Sequence, residues 1–135
     1  MEYVKSYRDL EVYKLSREIG KEIFNLTKDF PPEEKYSLTD QIRRSSRSVG
    51  AQIAEAWGKR RYEMHFILKL TDADAEQLET QHWLEVSEEC QYLNSAEAEM
   101  LLHKCESIGK MIQKMIDKAS SFCKPHHHPP PNTEY

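Results

Sequence analysis

Between residues 98 and 122 the apolar side chains Ala98, Leu101, Cys105, Ile108, Ile112, Met115, Ala119 and Phe122 recur in alternating steps of three and four. No other feature of the chain constrains its fold as tightly. Such spacing lays side chains along one narrow stripe of an α-helix, and a stripe of this kind is buried by other helices crossing at shallow angles. Val12, Ile19, Ile23, Leu26 and Phe30 form a similar stripe near the N-terminus. The chain has only four glycines, no Asn-Gly or Asp-Gly turn and no sustained two-residue alternation, so nothing in it specifies strands. An all-α fold is the economical reading.

Breaker residues divide the chain. Phe30-Pro31-Pro32 ends a first helix, because proline disfavours helical backbone at the residue before it and is accommodated in a first turn. Glu33 and Glu34 follow, where carboxylates complement the positive end of a helix. Gly58 interrupts weakly and Asn94-Ser95 more clearly, with Asn94 and Glu97 at capping-box spacing. Helices are expected at about residues 7–29, 33–57, 61–93 and 96–122. Long helices with short connections fold as an up-down antiparallel four-helix bundle. At 135 residues one core suffices, which gives a single domain over 1–124. The tail from 125 to 135, PHHHPPPNTEY, reads as disordered and Pro/His-rich.

One bundle core does not absorb all the apolar surface. In the third helix Tyr62, Phe66, Leu70, Ala73 and Leu84 share one side, while Leu68, Ala75, Val86, Cys90 and Leu93 lie well round from them. In the fourth, Leu102, Gly109, Ile116 and Cys123 flank the main seam. Helices apolar on two sides are usually buried on two sides, which points to a homo-oligomer.

Residues 41–61, QIRRSSRSVGAQIAEAWGKRR, place six basic residues against Glu55 on a chain whose net charge is -4. Leu38, Ile42, Val49, Ile53 and Trp57 make the core face; Arg43, Arg47, Gly50 and Ala54 form an adjoining stripe. This stripe is a candidate subunit interface, with small residues admitting a second backbone and the arginines pairing with carboxylates such as Asp72, Glu76 and Glu79. Phosphate contact is the competing reading. Arg44 points to solvent, and Lys59, Arg60 and Arg61 fall at the turn after Gly58; these four are candidate nucleic-acid contacts. Residues 72–106 hold ten acidic residues against Lys104 alone, so any phosphate-binding surface must be local.

Enzymatic readings find little support. Glu79 and His82 have the Glu-x-x-His spacing of dimetal bundles, but a second such element is missing, so no metal, cofactor or small-molecule substrate is expected. Ser45, Ser46 and Ser48 lack a neighbouring histidine, and Cys105 beside His103 diverges from it on a helix. His126, His127 and His128 read as tail rather than as ligands. Three cysteines without CxxC spacing argue against disulfides and thiolate zinc; Cys90 and Cys105 read as core thiols. With no membrane-length apolar run and no signal-peptide pattern at MEYVKSYRDLE, a cytoplasmic location is expected.

The chain also resembles the four-helix bundle proteins named for intervening sequences of bacterial 23S ribosomal RNA genes. The resemblance is carried by Phe30-Pro31, Glu33-Glu34, the Gln41-to-Arg44 element and, in part, Gln52-Ile53-Ala54-Glu55-Ala56-Trp57-Gly58. It covers residues 7 to about 120. It implies a homopentameric ring without known enzymatic activity; related proteins include the accessory variability protein of diversity-generating retroelements, a basic pentamer that binds nucleic acid and a reverse transcriptase. The present chain departs from that relative in being acidic. The combined expectation is a non-enzymatic oligomeric binding or scaffold protein with structured RNA or a nucleoprotein as partner, the alternative being a purely protein-binding ring.

Overall fold

The computed structural model describes residues 4–123 and is all-α over that span. The 125–135 tail lies outside the described residues. A 3₁₀ turn at Tyr7–Asp9 precedes four long helices, α1 Glu11–Thr27, α2 Leu38–Gly58, α3 Glu63–Glu89 and α4 Ser95–Asp117, and a single closing turn, α5 Ala119–Phe122. Residue pairings fix the directions: Arg43 of α2 meets Thr27 of α1 while Gly50 meets Ser16, and Ser48 meets Glu76 of α3 while Gln52 meets Lys69. Neighbouring helices are therefore antiparallel. Each long helix packs on two others, α2 most extensively on α3 and α1 least on α4. Lys104 strengthens that last seam, bonding Glu22 and lying 3.0 Å from Glu18, and its pKa is raised chiefly by the Glu22 bond.

The α4 seam is buried as its spacing requires, with Ala98, Leu101, Ile108 and Ile112 at 0–1% exposure. It meets Ile23 of α1, Ile42 and Ile53 of α2, and Phe66, Leu70 and Leu84 of α3 in one core. Phe122 stacks on Phe66 with ring centroids 5.7 Å apart. α3 is two-sided only in part as expected: Phe66, Leu70, Ala73 and Leu84 are buried and Leu68 and Ala75 exposed, but Val86 packs against the core, and Leu78 and Met64, 55% and 64% exposed, extend the outer side in its place.

Several boundaries differ from expectation. The first helix begins at Glu11, not residue 7, because Leu10 is extended and separates it from the Tyr7–Asp9 turn. The second begins at Leu38 instead of residue 33. Pro32–Glu34 forms a separate 3₁₀ turn, and the Glu34 carboxylate accepts from the Leu38 N–H at 3.3 Å and the Ser37 hydroxyl at 2.5 Å. α3 stops at Glu89, after which Gln91 takes a positive φ of 63° and the chain reverses. That reversal carries Leu93 into the core of its own chain, so it does not belong to the outer side of α3, and it leaves Cys90 exposed instead of buried. The Asn94–Glu97 capping box forms as its spacing predicts, at 2.8 and 3.0 Å. No helix of the described residues is long and apolar enough to cross a membrane.

Candidate functional site

Two basic surfaces emerge from the packing. The first is the α2–α3 turn, where the Lys59 N–H closes on the Ala56 carbonyl at 3.0 Å and the Tyr62 N–H on the Lys59 carbonyl at 3.3 Å. Lys59 and Arg61 are exposed there. Arg60 is half-buried: its guanidinium lies 3.6 Å above the Trp57 ring, and its Nε donates to the Trp57 carbonyl at 2.8 Å. The up-down topology brings Arg8 to the same end of the bundle, 4.5 Å over the Tyr7 ring. Arg44 is exposed but stands fifteen residues before Lys59 on α2, ~22 Å away by helical rise. The structure therefore does not bring Arg44 together with Lys59, Arg60 and Arg61.

The second surface is built from both α1 and α2. The Arg43 Nε donates to the Thr27 hydroxyl at 2.8 Å, and its guanidinium lies 4.7 Å from the Phe24 ring. Arg47 and Lys28 approach the same ring at 5.3 and 4.9 Å. Within the chain, then, the arginine stripe is partnered by an aromatic ring and a hydroxyl. Within the chain the carboxylates considered for it make other contacts, Glu76 accepting from Ser48, Glu79 from the Trp83 indole and Asp72 lying 3.8 Å from Lys69, while Asp72 and Glu79 stay exposed. Gly50 does admit a close neighbour, but that neighbour is α1 of the same chain, since a Cβ there would sit 3.0 Å from the Ser16 Oγ. Ala54 is half-buried farther along α2.

Between α1 and α2 lies an open groove of about 580 Å³. Ser16, Gly20, Ser46 and Gly50 line its floor, and Arg17, Lys21, Arg47 and Phe24 its walls. Sequence reasoning confined to α2 missed the contribution of α1. The signal was present, since Lys21, Phe24 and Lys28 stand three and four residues apart and so share one helix face.

Glu79 and His82 are exposed, and no group of three His, Cys, Asp or Glu side chains converges among the described residues. Burial, and secondarily Glu106, push the Cys105 thiol up to about 12; Cys123 is raised by burial as well. Thiols held protonated in this way are weak nucleophiles. Ser45 and Ser46 are buried, and each hydroxyl donates to a carbonyl of its own helix.

Comparison with known proteins gives a consistent picture. The family model described as 23S rRNA-intervening sequence protein matches residues 8–114. A similar solved structure is that of a protein with unknown function from the S23 ribosomal protein family of Bacteroides thetaiotaomicron VPI-5482. It is 33% identical, covers 78% of this chain and 97% of its own, and superposes with a TM-score of 0.71. The search of curated proteins returned no match.

Proposed function

The chain belongs to the 23S rRNA-intervening sequence protein family, and from that footing we propose that it is a non-enzymatic homo-oligomeric scaffold that binds structured RNA or a nucleoprotein. The subunit number of five and the ring form are taken from the family resemblance. The observation that carries the RNA reading is the α2–α3 turn, which holds Lys59 and Arg61 exposed at one end of the bundle without a salt bridge among the described residues. Repeated around a closed assembly, these charges form a basic rim on a protein whose net charge is -4. Weak phosphate contacts then add through multivalency.

A rim of this kind contacts phosphates with little sequence preference, and each contact releases counterions. RNA affinity should therefore fall as salt rises, and the fall should be shallower in a Lys59→Ala, Arg61→Ala variant. Fluorescence anisotropy with a structured RNA at two salt concentrations measures both. Absence of binding by the wild-type protein at low salt rules out the RNA reading, and salt-independent capture of a protein favours the protein-binding ring.

A further inference from the structure

The outer side of α3 carries a second seam. Met64, Leu68, Thr71, Ala75, Leu78 and His82 follow one another in steps of four and three, and all six are exposed. They lie diametrically opposite the buried Phe66, Leu70 and Leu84. Exposed carboxylates flank this ridge, with Asp72 and Glu79 on one side and Glu85 on the other. The molecule thus presents a convex apolar ridge with an acidic margin.

The α1–α2 groove is its complement. Its floor is low because Gly20 has no side chain and no heavy atom stands within 4 Å of where a Cβ would be. Its walls carry Arg17, Lys21 and Arg47, all exposed; among the described residues none of them is in a salt bridge, and the one acid that lines the groove, Glu18, is paired with Lys104. The groove spans α1 from Ser16 to Phe24, ~12 Å of helix, and Leu68 to Leu78 on the ridge rises ~15 Å. One face is concave and basic, the other convex, apolar and acidic at its edges.

We propose that the α3 ridge of one copy docks in the α1–α2 groove of the next. Leu68, Ala75 and Leu78 fill the space above Gly20, and Asp72, Glu79 and Glu85 meet Arg17, Lys21 and Arg47. Because ridge and groove face different sides of the bundle and cannot both meet one partner, the contact is head-to-tail, the kind of interface that closes into rings. A nucleic-acid occupant accounts for the cations of the groove but leaves the ridge unexplained; a second copy accounts for both. The inference rests on the oligomeric reading above and names the faces that make the assembly.

Two variants separate the alternatives, one at Gly20, which has open space beside it, and one on the exposed ridge, so that each bundle still folds. Gly20→Trp fills the groove, and Leu68→Lys with Leu78→Lys sets two cations on the ridge opposite the groove's own. Light scattering at micromolar concentration should show an assembled wild type and monomers for both variants, with helical content retained. Mixed in equal amounts, the two variants should form a two-chain species, since the intact ridge of the first meets the intact groove of the second and neither can extend further. Wild-type mass in either variant overturns the docking while leaving the oligomer standing. Two monomers that fail to pair on mixing overturn its head-to-tail geometry, and a monomeric wild type overturns both the docking and the oligomeric reading. If the groove variant keeps its mass and loses RNA affinity, the groove is a nucleic-acid site and the docking is wrong.

Discussion

Alanine substituted separately at Gly20 and Gly50 makes the same chemical change on two adjacent helices, and the structure assigns the two opposite outcomes. Both positions are helix interior, where alanine is favoured over glycine by about 0.8–1 kcal/mol. At Gly20 the new methyl meets nothing of its own chain within 4 Å, so the full gain should appear where no second copy fills the groove, as in the Leu68→Lys, Leu78→Lys background. At Gly50 the Cβ would sit 3.0 Å from the Ser16 Oγ and 3.5 Å from a Tyr13 ring carbon. The Ser16 hydroxyl cannot easily swing away, being buried and bonded to the Tyr13 carbonyl at 2.6 Å. Forcing α1 and α2 apart costs about 1–3 kcal/mol, which cancels or outweighs the propensity gain. Unfolding entropy of ~2 cal/mol/K per residue makes 1 kcal/mol worth ~4 °C for a chain of this length. In that background Gly20→Ala should therefore melt ~4 °C above its parent, and Gly50→Ala should melt at or below it, with thermal unfolding followed by far-UV circular dichroism at matched concentration. A Gly50→Ala protein as stable as Gly20→Ala would refute the close α1–α2 approach.

Phe66→Ala removes a fully buried ring stacked on Phe122 and should cost about 3–5 kcal/mol, read as a lower urea midpoint with the slope unchanged; a loss under about 1 kcal/mol would contradict its place in the core. The Tyr92 hydroxyl donates to Glu34 at 2.9 Å, and that bond pushes the phenol up from 10.0 to about 12, while the Ser37 hydroxyl first and Tyr92 second hold the Glu34 carboxyl below its ordinary 4.5. The pair's contribution is present between those ordinary values, is lost as pH rises through about 12, and is lost again as pH falls through the lowered Glu34 value. Tyr92→Phe should flatten the alkaline fall in stability between pH 10 and 12, and an unchanged slope would show that the bond does not act in solution. Thiol titration of the native protein should find one fast cysteine, Cys90, with Cys105 and Cys123 reacting only on unfolding; two or three fast thiols would contradict their burial.

What could be read from the sequence was local. The α4 seam and the Asn94–Glu97 cap are patterns within a turn or two of helix, and both appear where their spacing puts them. The Lys59-to-Arg61 turn was legible for the same reason: Gly58 ends α2 and Glu63 begins the next helix. The start of α2 was misplaced because Glu34 looks like a first-turn acid but instead accepts the Leu38 N–H from outside the helix. Leu93 was assigned to the wrong face because a helical wheel continues past a helix that stops at Glu89. The environment of Arg43 was hidden by distance along the chain, since Thr27 and Phe24 are sixteen and nineteen residues upstream. A groove between helices is likewise a property of two stripes together, and the wheel of either helix alone shows only half its wall.

The two ends of the bundle are fastened differently. At one end the Glu34 carboxylate gathers Ser37, Leu38 and Tyr92, Phe30 packs 5.3 Å from the Tyr92 ring, and α4 begins with a reciprocal cap. At the other, α1, α3 and α5 all begin without a side-chain cap. Uncapped helix starts leave N–H groups to solvent and open at low free energy. Amide hydrogens should accordingly exchange fastest at the first turns of α1 and α3 and slowest around Glu34 and Asn94. The compliant end is the one that carries Lys59 and Arg61, so a partner gripping those residues would damp its breathing, and its arrival would register as slowed exchange in the first turn of α3 and in that of α1, which the grip itself does not include.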